Sequence, residues 1–188
     1  MKIVTIPHEA LRKEAEPITT VDKKLLNFVR EIEKTLAHKK NPQGVGLAAP
    51  QVNKNWALFT TLLEDEHGKT KSRIFINPKI TDASDSLILG PSVDDAVLEG
   101  CLSMPEIYAP VPRHTWTTFS FHTIEGDELV EQDEVFTDFT SRVMQHELDH
   151  LHGILFTDYA LKQGLPIYKE NKKTKKMVEI DPALLEFI

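Results

Sequence analysis

Apolar positions at Leu25, Phe28, Val29, Ile32 and Leu36 recur at helical spacing, with Lys and Glu between them. The pattern predicts a packing helix over Thr20 to Lys40, capped by Thr19 or Thr20 and ended by Asn41-Pro42. Ahead of it, Ile3 to Ile6 is a short apolar run stopped by Pro7. Trp56 to Leu63 and Arg73 to Ile80 read as strands, joined as a hairpin by the polar turn Glu64 to Ser72. Thr81 to Leu98 is acidic and holds Gly90-Pro91 and the apolar island Leu87-Ile88-Leu89, so a long loop with a short strand inside it is expected. Pro105, Pro110 and Pro112 predict an extended, irregular segment. Thr115 to Ile124 and Leu129 to Phe136 read as a second strand pair about the turn Glu125-Gly126-Asp127-Glu128. Thr137 to His152 reads as a helix, with Thr137 or Asp138 as cap and Gly153 as stop. Ile154-Leu155-Phe156 is a short apolar exit. After Tyr168 the chain turns basic, at Lys169, Lys172, Lys173, Lys175 and Lys176, which reads as a solvated tail. Asp181-Pro182 opens a last helical turn from Ala183 to Ile188.

Composition narrows the class. A chain of 188 residues with 40% hydrophobic content is one domain with a real core. Its formal net charge of −7 argues against a general nucleic-acid binder, and no direct sequence-specific nucleic-acid binding is expected. A small basic patch could still dock on one. The single cysteine forms no intramolecular disulfide. Met1 to Pro7 is too short and too soon interrupted for a signal core, and no apolar run is long enough to span a membrane. A cytoplasmic location follows as the expectation.

The chemistry centres on Gln145-His146-Glu147-Leu148-Asp149-His150-Leu151, which contains His-Glu-x-x-His. On a helix, His146 and His150 point the same way one turn apart, so both imidazoles can close on one metal ion. Glu147 lies between them, where a carboxylate can take a proton from water and pass it on. A solvated polar face is the plain alternative. Val143, Met144, Leu148 and Leu151 argue for burial instead, and buried His and Glu need partners.

A catalytic metal usually takes three protein ligands. The third could be a carboxylate, another His, or Cys101, whose thiolate a cation would favour. Sequence distance does not choose among them. Gly44-Val45-Gly46-Leu47-Ala48-Ala49-Pro50-Gln51 is either a glycine turn entering a buried strand or a backbone that a ligand approaches closely. It lacks the spacing of a phosphate or dinucleotide loop.

Three segments in this order resemble those of the peptide deformylases: Gly44 to Gln51, Glu99-Gly100-Cys101-Leu102-Ser103, and Gln145 to Leu151. Pro7, Leu11 and Arg12 fit the family's opening, and the likeness runs to about Tyr159. The resemblance implies an α+β fold, with antiparallel strands surrounding a central metal helix that bears His-Glu-x-x-His, and an N-terminal packing helix. Residues 1–165 would be the catalytic domain and 166–188 a lysine-rich C-terminal tail with a short terminal helix. Cys101, His146 and His150 would hold one divalent metal, typically Fe(II), with Zn(II), Ni(II) or Co(II) also suited to the donors. The substrate would be the N-formylmethionyl nascent peptide, attacked by metal-bound hydroxide with Glu147 as general base and acid. The Gln51 side chain and the Leu102 N–H would steady the oxyanion. The peptide would lie extended along Val45 and Gly46, beside Gly44, pairing backbone to backbone. Phe139 and Val143, on the face of His146, would line the methionine slot. A transient ribosome contact is compatible with this reading, and no membrane contact is expected.

Three features depart from the family pattern. The segment before Glu99 is longer, Tyr108 stands where many members carry a basic residue, and Asp138 stands where Gly is common. Asp138 is expected to serve as a helix cap. A metallopeptidase would want its third ligand shortly after the helix, and His152 is too close to serve. A non-catalytic relative would have lost Glu147 or a ligand. Removal of a different N-acyl group stays open.

Overall fold

The computed structural model describes residues 1–40, 43–64, 68–90 and 96–185, with Leu184 and Leu185 described by backbone alone. The expected helix stop at Asn41-Pro42, the Pro91 of the acidic segment and the end of the terminal helix lie outside these residues.

Helix α1 spans Lys23–Ala37. Its cap is Asp22, not Thr19 or Thr20: the Asp22 carboxylate accepts the Leu25 N–H at 2.8 Å, satisfying one orphan donor of the first turn. Leu25, Ile32 and Leu36 are fully buried with Leu47, Leu58 and Ile76, so α1 packs as its period predicts.

Five antiparallel strands form the larger sheet: β1 (Gly46–Ala48), β2 (Leu58–Glu64), β3 (Thr70–Ala83) and, after four intervening strands, β8 (Trp116–Glu125) and β9 (Glu128–Thr137). Their order is β1-β2-β3-β8-β9, which leaves β1 at an edge. Both expected hairpins are present, β2 with β3 and β8 with β9. The acidic segment begins with the end of β3 and holds the short strand β4 (Leu87–Ile88), paired with β7 (Arg113–His114).

The remaining strands correct the sequence reading. Leu98–Cys101 is a strand, β5, and the proline-bearing stretch forms β6 (Met104–Pro110). Pro105 fits because it falls between the paired positions Cys101–Met104 and Gly100–Tyr108, where no partner needs its missing N–H. Beyond 166 the chain does not trail off: β10 (Ile167–Glu170) and β11 (Met177–Ile180) make a hairpin that joins β6 through Tyr168–Tyr108 and Lys169–Ile107. Ile167 is fully buried there, which anchors the hairpin to the core. This sheet runs β11-β10-β6-β5, so β5 is also an edge.

Helix α2 spans Asp138–Leu151. Met144, Leu148 and Leu151 pack against Phe59, Phe75, Phe119, Phe121 and Phe136 from β2, β3, β8 and β9. Burial of each such ring contributes about 1.5–3 kcal/mol. Asp138 is not a cap. Its φ is 51°, its N–H donates to Thr115 O at 2.8 Å, and the capping position falls to Thr137, whose side chain makes no capping bond. A left-handed backbone suits Gly and is tolerated by Asp better than by most residues. A third helix, α3 (Phe156–Gln163), replaces the expected apolar exit. Among the described residues no helix is long and apolar enough to cross a membrane.

Candidate active site

The edges β1 and β5 face a cleft of about 290 Å³, at the small end of ligand sites. Gly44, Val45, Gly46 and Gln51 line one wall, Cys101 and Leu102 the other, and Phe139, Val143, His146 and Glu147 of α2 the floor. All of the residues singled out from sequence therefore reach this cleft except His150, which is buried behind it.

Three donors converge at the floor. One ligand atom from each of Cys101, His146 and His150 lies within 4.8 Å of the others. Helix α2 sets the two rings one turn apart, with centroids 5.0 Å from each other. Cys101 arrives from the end of β5, its Sγ 3.2 Å from His150 Nε2. Gln51 Nε2 donates to that sulfur at 3.3 Å and to Ser103 Oγ at 3.2 Å, and the Ser103 N–H also points at the sulfur at 3.4 Å. Gln51 Oε1 accepts the Ala48 N–H at 2.8 Å, which fixes the amide's orientation.

The electrostatics suit a cation. Burial opposes ionisation of Cys101, but the neighbouring His150 and His146 outweigh it and hold the thiol well below its ordinary range. Burial likewise disfavours a charged His146, yet Cys101 and Glu99 raise its affinity for a proton well above normal. A thiolate held beside an imidazolium is the arrangement in which a metal ion can take the proton's place. His146 Nδ1 pairs with Glu99 Oε2 at 3.0 Å, which leaves Nε2 for the cluster, as a metal-bound histidine requires. The residues thus fit a metal of nitrogen and sulfur preference.

Glu147 stands apart. Its Oε2 is buried without a hydrogen-bond partner, and burial pushes its pKa up to about 7, against the opposing pull of His146 and His150. Gly46 explains its placement: a Cβ there would overlap the Glu147 carboxylate. The glycine that the sequence offers as room for a ligand is also room for this side chain.

A buried charge network behind these three side chains escaped the sequence reading. Glu99 takes two bonds from Arg113, both 2.9 Å, and one from Arg142 at 3.1 Å. Arg113 also donates to Asp149 at 2.6 Å, and Asp149 accepts the Tyr159 hydroxyl at 2.9 Å. Burial works against the Glu99 carboxylate, but Arg113 and His146 keep it ionised far below the usual carboxylate range. Arg142 further donates to Val111 O at 2.7 Å and Ile88 O at 3.0 Å, tying β4 to the site. Glu99 and Asp149 sat inside the segments already singled out, and their charge beside expected ligands was the available signal. Arg113 and Arg142 had no pattern to mark them.

Comparison with known proteins accords with this geometry. The family model described as polypeptide deformylase matches residues 1–164. The peptide deformylase of Desulfotalea psychrophila is 35% identical over 177 residues, covering 94% of this chain and 95% of that one. Peptide deformylase 1 of Shewanella oneidensis is 38% identical over 160 residues, 85% of each chain. Among solved structures, Arabidopsis thaliana peptide deformylase 1B in complex with an inhibitor has a TM-score of 0.71 at 34% identity, over 85% of this chain and 81% of that one. The Plasmodium falciparum peptide deformylase has a TM-score of 0.70 at 33% identity, over 84% and 85%. Sequence match and shared fold agree over most of the chain's length, and the chain belongs to the polypeptide deformylase family, whose members are deformylating hydrolases.

Proposed function

We propose that this chain removes the formyl group from the N-terminal formylmethionine of newly made polypeptides in the cytoplasm, with one divalent ion held by Cys101, His146 and His150. The observation that carries the reading is the buried, partnerless Glu147 carboxylate beside that donor cluster, at the floor of a cleft between two sheet edges. In this reading α2 is the metal helix around which the antiparallel strands are arranged, residues 1–165 are the catalytic domain, and Fe(II) is the ion in the cell. When bound, the ion supplies Lewis acidity, which brings the ionisation of water toward neutral pH.

The protein's own groups do the rest. Glu147 accepts a proton from the attacking water and hands it to the leaving amine, and its raised pKa suits both transfers. Water adds to the formyl carbon, the C–N bond breaks, and formate and a free amino terminus result. The Gln51 amide and the Leu102 N–H donate to the oxygen that gains charge, each worth about 3–4 kcal/mol of barrier. The free edge of β1 at Val45 and Gly46, next to Gly44, pairs with the extended peptide. Phe139 and Val143 take the methionine side chain against the stem of Arg142. A passing contact with the ribosome would place the enzyme at its substrate.

The test is formate release from formyl-Met-Ala-Ser by protein purified without oxygen and loaded with Fe(II) or Ni(II), run beside the acetylated peptide. The formylated peptide should be cleaved and the acetylated one left intact. Metal-replete protein that releases no formate overturns the assignment, and equal cleavage of both peptides moves it to a broader deacylase.

A further inference from the structure

We propose that Glu106 is a specificity-determining residue that selects peptides with a basic side chain downstream of the formylmethionine, and that Lys172 of the C-terminal hairpin occupies it until such a peptide arrives. The proposal rests on the deformylase reading of the cleft.

Three observations converge. Glu106 lies on β6 and lines the cleft. Its carboxylate faces Lys172 Nζ at 2.6 Å, and the lysine side chain is 76% exposed. Its backbone is held at φ 70°, a left-handed conformation that a glutamate adopts only at a cost. A strained acidic residue on a substrate-facing wall points to a use for its charge.

The other cleft charges are committed. Glu99 and Arg142 are buried against each other and against Arg113, and Glu147 sits beside the donor cluster. Glu106 alone among the described cleft carboxylates has an exposed, flexible lysine as its partner. Such a pair is weak in water, so a substrate ammonium or guanidinium can displace it without leaving a buried charge unpaired. Lys172 shows which chemistry the subsite takes. It comes from the turn between β10 and β11, beyond the residues that match the family model. The hairpin is registered on β6 by Tyr168–Tyr108 and Lys169–Ile107, which holds the lysine at the rim. A peptide paired along β1 would lie in the same cleft that Glu106 lines, within which its later side chains could meet that carboxylate.

The experiment compares kcat/KM for formyl-Met-Ala-Lys, formyl-Met-Ala-Ala and formyl-Met-Ala-Glu, using the metal-loaded full chain and its Glu106→Gln, Glu106→Lys and Lys172→Ala variants. Each variant is scored by its Lys-to-Glu peptide ratio, so a general loss of activity does not enter. The wild type should favour the Lys peptide over the Glu peptide by about three- to fivefold at low salt, with the ratio falling toward unity in high salt. Lys172→Ala should widen the ratio, Glu106→Gln should abolish it, and Glu106→Lys should invert it. An unchanged ratio in both Glu106 variants overturns the proposal. Formate from all three peptides at equal wild-type rates also overturns it while leaving the deformylase reading intact. No formate from the neutral peptide overturns both.

Discussion

The backbone of Gly46 passes so near the Glu147 side chain that a Cβ on it would stand 2.7 Å from Glu147 Cγ. Real Cβ atoms do not tolerate that distance, so strand β1 and the carboxylate fit together only while position 46 is Gly. Gly46→Ala should push Glu147 out of line and lower kcat about 100-fold or more, the usual worth of a placed base. Metal content should stay at the wild-type level, because the atoms that a Cβ at position 46 meets first belong to Glu147 and not to the three donors. Metal analysis and steady-state rates on the same preparation check both halves.

Glu147→Ala separates binding from chemistry more directly. The ion should remain, and turnover of the formylated peptide should fall about 100- to 10,000-fold. Full activity in the metal-replete variant would remove Glu147 from the mechanism.

Glu99 joins His146 to two buried guanidinium groups. Glu99→Gln leaves Arg113 and Arg142 with an uncompensated charge and His146 with a poorer acceptor. The expected losses are about 3–5 kcal/mol of unfolding free energy and about 10- to 100-fold in metal affinity. Urea titration of the loaded variant and a chelator competition measure them separately.

Removing the ion should weaken the fold itself. Two elements would supply its donors: the end of β5 carries Cys101, and successive turns of α2 carry the histidines. Any ligand that binds only the native state stabilises it by mass action. With free ion at about a thousand times its dissociation constant, chelation should lower the melting temperature by about 10 °C, and readdition should restore it.

What could be read from sequence followed the range of each interaction. Helix α1 and the two long hairpins announce themselves by local period, and they stand near where expected, the helix with its cap moved to Asp22 and its end drawn back from Lys40 to Ala37. Strands β5, β6, β10 and β11 are short, the first three carry Gly, Pro or Lys, and all four pair at positions decided by a neighbour in space. No local pattern announces such pairing, so the hairpin that closes the sheet reads as a tail. The site divides the same way. His146 and His150 are legible because four residues of helix fix their spacing. The arrival of Cys101 beside them is a tertiary event, and only the likeness to a family anticipates it. Arg113 and Arg142 were silent because a buried cation is marked by its partners, which the sequence does not place.

The most direct test of the central claim is the near-ultraviolet absorption of the cobalt-loaded protein, compared with that of Cys101→Ser. One Co(II) bound through the Cys101 thiolate beside two imidazoles should give an intense sulfur-to-cobalt charge-transfer band, and the serine variant should lose that band along with most of its metal. An identical spectrum and an undiminished cobalt content in Cys101→Ser would contradict the account.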